Sequence, residues 1–182
     1  MIKPYRGIMP RIDQTAFISE TSVIIGDVDI GAQSSVWYGC IVRGDVHYIK
    51  IGKAVNIQDG SVIHATKGRF PTIIGDRVTI GHGAILHGCT VNSGALIGIG
   101  SVILDNAEIG EEAMVAAGAV VSPETKIPPR TLAVGIPARA RRNLSEDEIA
   151  WIRGRVDLYL GLSSEYLQEE LDKGKGYSIG GE

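Results

Sequence analysis

The chain has 182 residues, a length that suits one principal domain able to bury a core without disulfides. Its 18 basic and 21 acidic residues nearly balance, so we expect neither a nucleic acid nor a membrane as partner. The opening residues lack the apolar core of a signal peptide and no segment is long enough to span a membrane, which predicts a cytoplasmic protein. Cys40 and Cys89 are too few for a disulfide framework, and we expect both to be small buried thiols.

A repeat of six residues dominates the sequence. Helices need apolar residues at spacings of three and four, and half-buried strands need a spacing of two. A spacing of six predicts instead a prism of short parallel strands, with three repeats in each coil and glycine at the tight corners. The apolar positions form four runs: Ile24, Ile30, Val36 and Val42; Ile51, Ile57 and Ile63; Ile74, Ile80 and Leu86; and Val91, Ile97, Ile103, Ile109, Val115 and Val121.

Three interruptions separate these runs. Three extra residues lie between Val42 and Ile51, within 46–50, and five extra residues lie between Ile63 and Ile74. The longer insertion predicts that residues 66–72 leave the prism as a loop. Between Leu86 and Val91 one residue is missing, which predicts a tighter coil there.

The end of the chain carries a different pattern. We expect the β-helix domain to cover residues 1–140. Ser145 and Glu148 have the spacing of a capping box, and a one-sided apolar stripe follows them, which predicts a helix within residues 141–173. Such a helix should pack on the prism or on a neighbouring subunit. Residues 174–182 have no pattern and are predicted to be a flexible tail.

The histidines fall at related positions of the repeat. His64 and His87 each follow an inward-facing residue and are separated by one coil plus the five-residue insertion. They should therefore stack on one edge of the prism, with Arg43 one coil earlier, because successive coils lie about 4.8 Å apart. Two imidazoles at that separation can share a metal ion.

His82 belongs to the next hexad position, so it should lie on a neighbouring face, one coil above Asp59. A straight prism does not easily bring His82 to the other two histidines of its own chain, but a cyclic assembly would bring it to those of the next subunit. The spacing does not give the number of subunits. His47 lies in the first insertion without a matching partner and is predicted to be a solvated loop residue.

Four segments of the chain stand out: Arg43-Gly44-Asp45, Asn56-Ile57-Gln58-Asp59-Gly60, His64 and Gly81-His82-Gly83-Ala84-Ile85-Leu86-His87-Gly88-Cys89. Together they resemble the gamma-class carbonic anhydrase family. The resemblance implies a left-handed parallel β-helix, a homotrimer, and one metal ion at each subunit interface. Zinc is the first expectation, with ferrous iron or cobalt as alternatives. By the same resemblance, His64 and His87 of one subunit and His82 of the next are the metal ligands.

The resemblance also assigns roles to polar residues. It matches Arg43 and Asp59 to an ion pair between subunits and Asp45 to a second interface carboxylate. An equal alternative is that Arg43 and Asp59 only hold the trimer together. Asn56 and Gln58 match polar groups near the metal-bound water. Tyr159 matches an aromatic hydroxyl that reaches the site, the alternative being a core aromatic residue of the helix.

The implied activity is that of a lyase: the reversible hydration of carbon dioxide to bicarbonate by metal-bound hydroxide, because zinc lowers the pKa of its bound water to about 7. Two departures predict low activity limited by proton transfer. Residues 65–71 contain no carboxylate, where the archetypal member has a longer loop with a proton-shuttle glutamate, and Val46 replaces a second glutamate. Two other functions fit the sequence: a non-catalytic metal-binding trimer serving as a scaffold, and an acyl-coenzyme A-related transferase or thioesterase with one histidine as general base.

Overall fold

A computed structural model describes residues 1–172 as a parallel β-helix of about seven turns with one C-terminal helix. This confirms the predicted mainly-β class and the hexapeptide architecture. Numbered along the chain, the elements are β1 (Ile2–Lys3), β2 (Arg11–Ile12), β3 (Phe17–Ile18), β4 (Val23–Ile30), β5 (Ser35–Val36), β6 (Ile41–Ile51), β7 (Asn56–Ile57), β8 (Val62–His64), β9 (Thr72–Ile74), β10 (Thr79–Ile80), β11 (Ile85–His87), β12 (Thr90–Val91), β13 (Leu96–Ile97), β14 (Val102–Ile103), β15 (Glu108–Ile109), β16 (Met114–Val115), β17 (Val120–Val121), β18 (Lys126–Ile127), β19 (Thr131–Gly135), β20 (Ala138–Asn143) and α1 (Glu146–Asp172).

The strands form three faces of a prism. The first face contains β8, β11, β14 and β17, and the second contains β9, β12, β15 and β18. Strands β4 and β6 are long enough to continue from the first face into the second, which joins the two faces into one sheet. The third face runs in the order β20-β19-β16-β13-β10-β7-β5-β3.

The core is the stack of repeat residues that the sequence predicted. Every member of the four runs is at most 4% exposed, and the strands pair in parallel, so that Ile63 lies directly beside Leu86. A second buried position lies two residues earlier and holds a small side chain, such as Ala84 before Leu86 and Ala107 before Ile109. One large and one small side chain from each strand thus fill the narrow interior.

Glycines that directly follow an apolar repeat residue do not make the corners of the prism; they allow neighbouring coils to pack closely. A Cβ atom at Gly110 would lie 2.4 Å from the backbone nitrogen of Pro129, and one at Gly31 would lie 2.6 Å from the carbonyl oxygen of Gly52. The next coil therefore leaves no room for a side chain. The corners are made by other glycines, such as Gly60, which has a φ of 70°.

The predicted insertions occur at corners. Gly26 pairs with Gly44 and Val28 pairs with Ile49, so β6 accommodates its three extra residues opposite Asp27. His47 is consequently part of strand β6 and half-buried against Tyr48, which corrects its prediction as a solvated loop residue. The loop of residues 66–72 closes on itself through a bridge between Thr66 and Phe70.

The end of the prism differs in detail from the predicted boundary at residue 140. Strand β19 still pairs with β16, and the chain then turns back as the antiparallel strand β20, which the sequence did not indicate. The capping box is confirmed: Glu148 N donates to Ser145 Oγ, and Ser145 N donates to Glu148 Oε2. The predicted tail of residues 174–182 lies outside the described residues.

Helix α1 packs on the third face. Its buried residues Ile149 and Ile152 join Leu96 and Leu144 in a second apolar cluster, and its later turns contact β3, β5, β7 and β10. Side-chain pairs between Arg153 and Glu112 and between Arg77 and Asp157 flank this contact. Within the described residues, no helix combines the length and apolar character that crossing a bilayer requires.

Candidate metal centre

His64 and His87 end two adjacent strands on the first face. β8 and β11 pair with His64 directly opposite His87, as the residue count predicted. The His64 Nδ1 atom lies 3.2 Å from the Nε2 atom of His87. Two ring nitrogens on neighbouring coils thus point at one another.

A carboxylate contacts the other nitrogen of each ring. Asp45 Oδ1 lies 2.9 Å from His64 Nε2, and Asp105 Oδ1 lies 2.6 Å from His87 Nδ1. Burial opposes ionisation of Asp45, but hydrogen bonds with His64 and Arg43 outweigh burial and lower its pKa. The same balance, with His87 and Thr66 as partners, lowers the pKa of Asp105. Both carboxylates are therefore ionised at neutral pH and act as acceptors.

This arrangement suits a metal ion. A neutral imidazole that donates one N–H to a carboxylate has a lone pair on its other nitrogen. Two lone pairs then face each other between His64 and His87, and they repel unless a cation lies between them. Two nitrogens bound to one tetrahedral zinc at about 2.0–2.1 Å would be roughly 3.3–3.4 Å apart. The observed 3.2 Å is close to that separation.

The third histidine lies on a different edge. His82 follows β10 on the third face, and its Nδ1 atom is 2.9 Å from Asp59 Oδ2. The backbone places Asp59 one coil below, because Gly83 N donates to the Asp59 carbonyl. With Nδ1 held by Asp59, Nε2 is the ring nitrogen that remains for a ligand bond.

The predicted site residues divide into two groups within one chain. We call Arg43, Asp45, His64 and His87 the paired-histidine edge; there Arg43 Nη1 donates to Asp45 Oδ2 at 2.5 Å. We call Asn56, Gln58, Asp59, His82 and Tyr159 the single-histidine edge. The two edges border the first face on opposite sides, because β8 and β11 run from one to the other. Among the side chains of residues 1–169, no three His, Cys, Asp or Glu of one chain are arranged to hold a metal ion.

Asn56 and Gln58 form a buried ladder on the single-histidine edge. Gln58 Nε2 donates to Asn56 Oδ1 at 3.0 Å, and Asn56 Nδ2 donates to Thr79 Oγ1 at 2.9 Å. Tyr159 packs edge-on against Trp37, with ring centres 5.4 Å apart. Burial and the nearby Asp59 raise the Tyr159 pKa, so its hydroxyl is protonated at neutral pH.

Sequence reasoning missed Asp105 and Thr66. Asp105 lies one coil of 18 residues after His87, and that spacing was the signal that could have found it. Thr66 begins the loop after His64 and donates from Oγ1 to Asp105 Oδ2 at 2.7 Å. Both cysteines are buried thiols as predicted.

Comparisons with known proteins agree with this architecture. Residues 88–123 match the family model described as bacterial transferase hexapeptide (six repeats). A crystal structure of a hexapeptide transferase family protein from Anaplasma phagocytophilum is 41% identical, with a TM-score of 0.88 over 92% of this chain and 98% of that one.

Two curated relatives are carbonic anhydrases. The carbonic anhydrase of Geobacillus kaustophilus is 52% identical over 149 residues, which cover 82% of this chain and 81% of the relative. Gamma carbonic anhydrase 1, mitochondrial, of Arabidopsis thaliana is 45% identical over 165 residues, covering 88% of this chain. The chain spans only 60% of that Arabidopsis protein. From the extent of this identity, the chain belongs to the gamma-class carbonic anhydrase family.

Proposed function

We propose that the protein catalyses the reversible hydration of carbon dioxide to bicarbonate at a zinc site shared between subunits of a homotrimer. The observation that carries this proposal is the convergence of His64 Nδ1 and His87 Nε2 at 3.2 Å, with a carboxylate on the far nitrogen of each ring. Family membership supports the proposed reaction, and the paired nitrogens support the proposed position of the metal.

The surface of the first face supports a ring-shaped assembly. Its strands carry outward apolar residues, and Ile41 and Ile85 are 39% and 42% exposed while α1 packs on the third face. In a closed ring, the single-histidine edge of one subunit can meet the paired-histidine edge of the next across this face. Burial of the apolar residues would stabilise that contact.

The centre would hold zinc through His64, His87 and the next subunit's His82, and zinc supplies hydroxide near neutral pH by lowering the pKa of its water to about 7. Each of these histidines has one ring nitrogen against an aspartate, which directs the other nitrogen of that ring towards the proposed metal position. The aspartates are Asp45, Asp59 and Asp105. The ladder from Thr79 through Asn56 fixes the Gln58 amide for a hydrogen bond to the attacking oxygen.

Hydration releases one proton for each bicarbonate, and this proton must leave the site. Residues 65–71 contain no carboxylate to accept it, and Val46 offers no titratable group. Buffer molecules or water must therefore accept the proton, so we expect the hydration rate to rise with buffer concentration.

Acyl transfer is the second candidate because a solved relative is described as a hexapeptide transferase family protein. A transferase of this type needs one histidine as general base, whereas three histidines of this chain each pair with an aspartate. That arrangement favours metal binding. A non-catalytic metal-binding trimer would bind zinc but show no hydration, so metal analysis together with a hydration assay separates it from the proposed function.

The test is metal analysis of the purified protein followed by a hydration assay with and without zinc. We expect about one zinc ion per chain, and loss of both metal and activity in His87→Ala, because two ligands make an inadequate site. His47→Ala is the control and should retain its metal, since His47 contacts Tyr48 instead. Zinc binding without hydration would leave the scaffold function, and zinc content unchanged in His87→Ala would contradict the site.

A further inference from the structure

The short loop after His64 is tied to the ring of His87. Thr66 Oγ1 donates to Asp105 Oδ2 at 2.7 Å, and the other oxygen of Asp105 lies 2.6 Å from His87 Nδ1. The loop thus reaches the ring through this carboxylate, and Thr66 Oγ1 also lies 3.4 Å from His87 Nδ1 itself. The loop contains no carboxylate, but this contact gives it a different role at the same site.

Gly88 shows how closely these groups pack. A Cβ atom at Gly88 would lie 2.7 Å from Asp105 Oδ1 and 3.0 Å from the Cβ of Phe70. Gly88 N also donates to Thr72 Oγ1 at 3.0 Å, at the far end of the loop. The absence of a side chain at position 88 therefore allows the loop and Asp105 to approach the histidine together.

We propose that Thr66 and Asp105 form a clamp that fixes the ring of His87 with its Nε2 lone pair directed at the metal, so that Asp105 is a positioning residue of the centre. The inference deepens the proposed zinc site and rests on it. Asp105 accepts the Nδ1–H proton and thereby selects one tautomer. The Thr66 hydroxyl holds the second carboxylate oxygen and keeps Asp105 from rotating away.

The first test measures zinc affinity by competition with a coloured chelator. We expect Asp105→Asn to weaken binding by about 10- to 100-fold, the usual loss for a partner of a ligating histidine. Thr66→Val should weaken it less, and the double variant should bind nearly like Asp105→Asn alone, because the short hydrogen bond of Thr66 is to Asp105 while its contact with His87 Nδ1 is 3.4 Å long. Glu108→Gln is the matched control: its carboxylate lies near Lys126, and its affinity should equal that of the wild type.

The second test needs no metal. Nitrogen NMR of the metal-free protein at pH 8 reports which ring nitrogen of His87 carries the proton. We expect the Nδ1–H tautomer in the wild type and in Glu108→Gln, and a mixture or the Nε2–H tautomer in Asp105→Asn. Unfolding temperatures of the metal-free variants show whether the fold is intact.

Each result decides between the two proposals. If Asp105→Asn keeps the wild-type tautomer, or keeps the wild-type zinc affinity while folded, the clamp is wrong and the zinc site stands. If Asp105→Asn changes the tautomer of His87 but the wild-type protein binds no zinc, the ring is clamped and the proposed function fails.

Discussion

Each histidine of the proposed centre has one nitrogen next to an aspartate, and this contact controls what the ring can bind. His64, His82 and His87 pair with Asp45, Asp59 and Asp105, at 2.9, 2.9 and 2.6 Å. The contacts differ in shielding: the His64 side chain is 17% exposed and that of His82 is 45% exposed. In the proposed centre both edges need a neighbouring subunit, and His82 is the more exposed ligand before assembly.

The two thiols offer a prediction at the scale of single residues. Burial raises the pKa of Cys40 to about 11 and that of Cys89 to about 12. At pH 8 only about one molecule in a thousand, or fewer, would have the reactive thiolate at either position. We expect neither cysteine of the native protein to be alkylated by iodoacetamide within an hour, as measured by mass spectrometry. Both should react after denaturation, and fast labelling of native Cys89 would contradict its burial.

At the scale of elements, the stack of coils depends on close backbone contact and the helix on its cap. Each coil lies against the next with room for a glycine but not for a Cβ atom at positions such as Gly110. Helix α1 begins at a reciprocal cap between Ser145 and Glu148, and Arg142 also contacts Glu148 through two hydrogen bonds. The coils are therefore stabilised by close packing, and the start of the helix is stabilised by hydrogen bonds.

Two glycine substitutions separate these forces. Gly110→Ala should lower the unfolding temperature strongly, because the new Cβ would lie 2.4 Å from Pro129 N and the coils would have to separate. Gly154→Ala is the matched control within α1, where nothing lies within 4 Å of the new atom. It should stabilise the protein by roughly 0.5–1 kcal/mol, since alanine is the better helix former. Calorimetry measures both, and equal effects would contradict the close contact between coils.

The cap predicts a pH dependence. Hydrogen bonds from Arg142 and Ser145 lower the pKa of Glu148 to about 2, against an ordinary value of 4.5. Because the folded-state pKa is depressed, the stabilisation is complete above about pH 4.5 and is lost as the pH falls towards 2. Glu148→Gln should thus unfold at a lower temperature than the wild type at pH 7, and the difference should shrink below pH 4.5. Asp147→Asn is the control, and a difference that grows with acid would contradict the assignment.

At the scale of the whole molecule, one prism carries both halves of the proposed centre on different edges. The paired-histidine edge and the single-histidine edge border the same face, and its exposed Ile41 and Ile85 suit burial against another subunit. The proposed trimer joins unlike edges of neighbouring chains. Assembly and metal binding should therefore depend on each other.

Mixed trimers test this arrangement. His64→Ala and His82→Ala chains each lack one ligand, so neither should bind metal alone. A site forms where the His82→Ala chain supplies His64 and His87 and its neighbour, the His64→Ala chain, supplies His82. Random mixing in equal amounts should restore about a quarter of all sites, and about a third of the sites in purified hybrid trimers, because one interface of the three then has the required order. The measurement is zinc content after co-expression with two tags and tandem purification; well-folded hybrids without metal would refute the shared centre.

The sequence by itself determined the core and the pairing of His64 with His87. A β-helix advances by a fixed distance in each coil, so counting residues between inward positions gives the register, insertions included. The same count correctly placed Asp59 one coil below His82. These features follow from the repeat, whose period and interruptions can be counted directly in the sequence.

Only the tertiary structure decided what surrounds those histidines. The apolar stripe of α1 required a partner, but it did not say that the partner was the third face, which leaves Ile41 and Ile85 on the first face exposed. The contact of Asp105 with Thr66 depends on the path of a loop outside the repeat and on side-chain rotamers. Such contacts have no period in the sequence, because they join segments whose approach is set by packing in three dimensions.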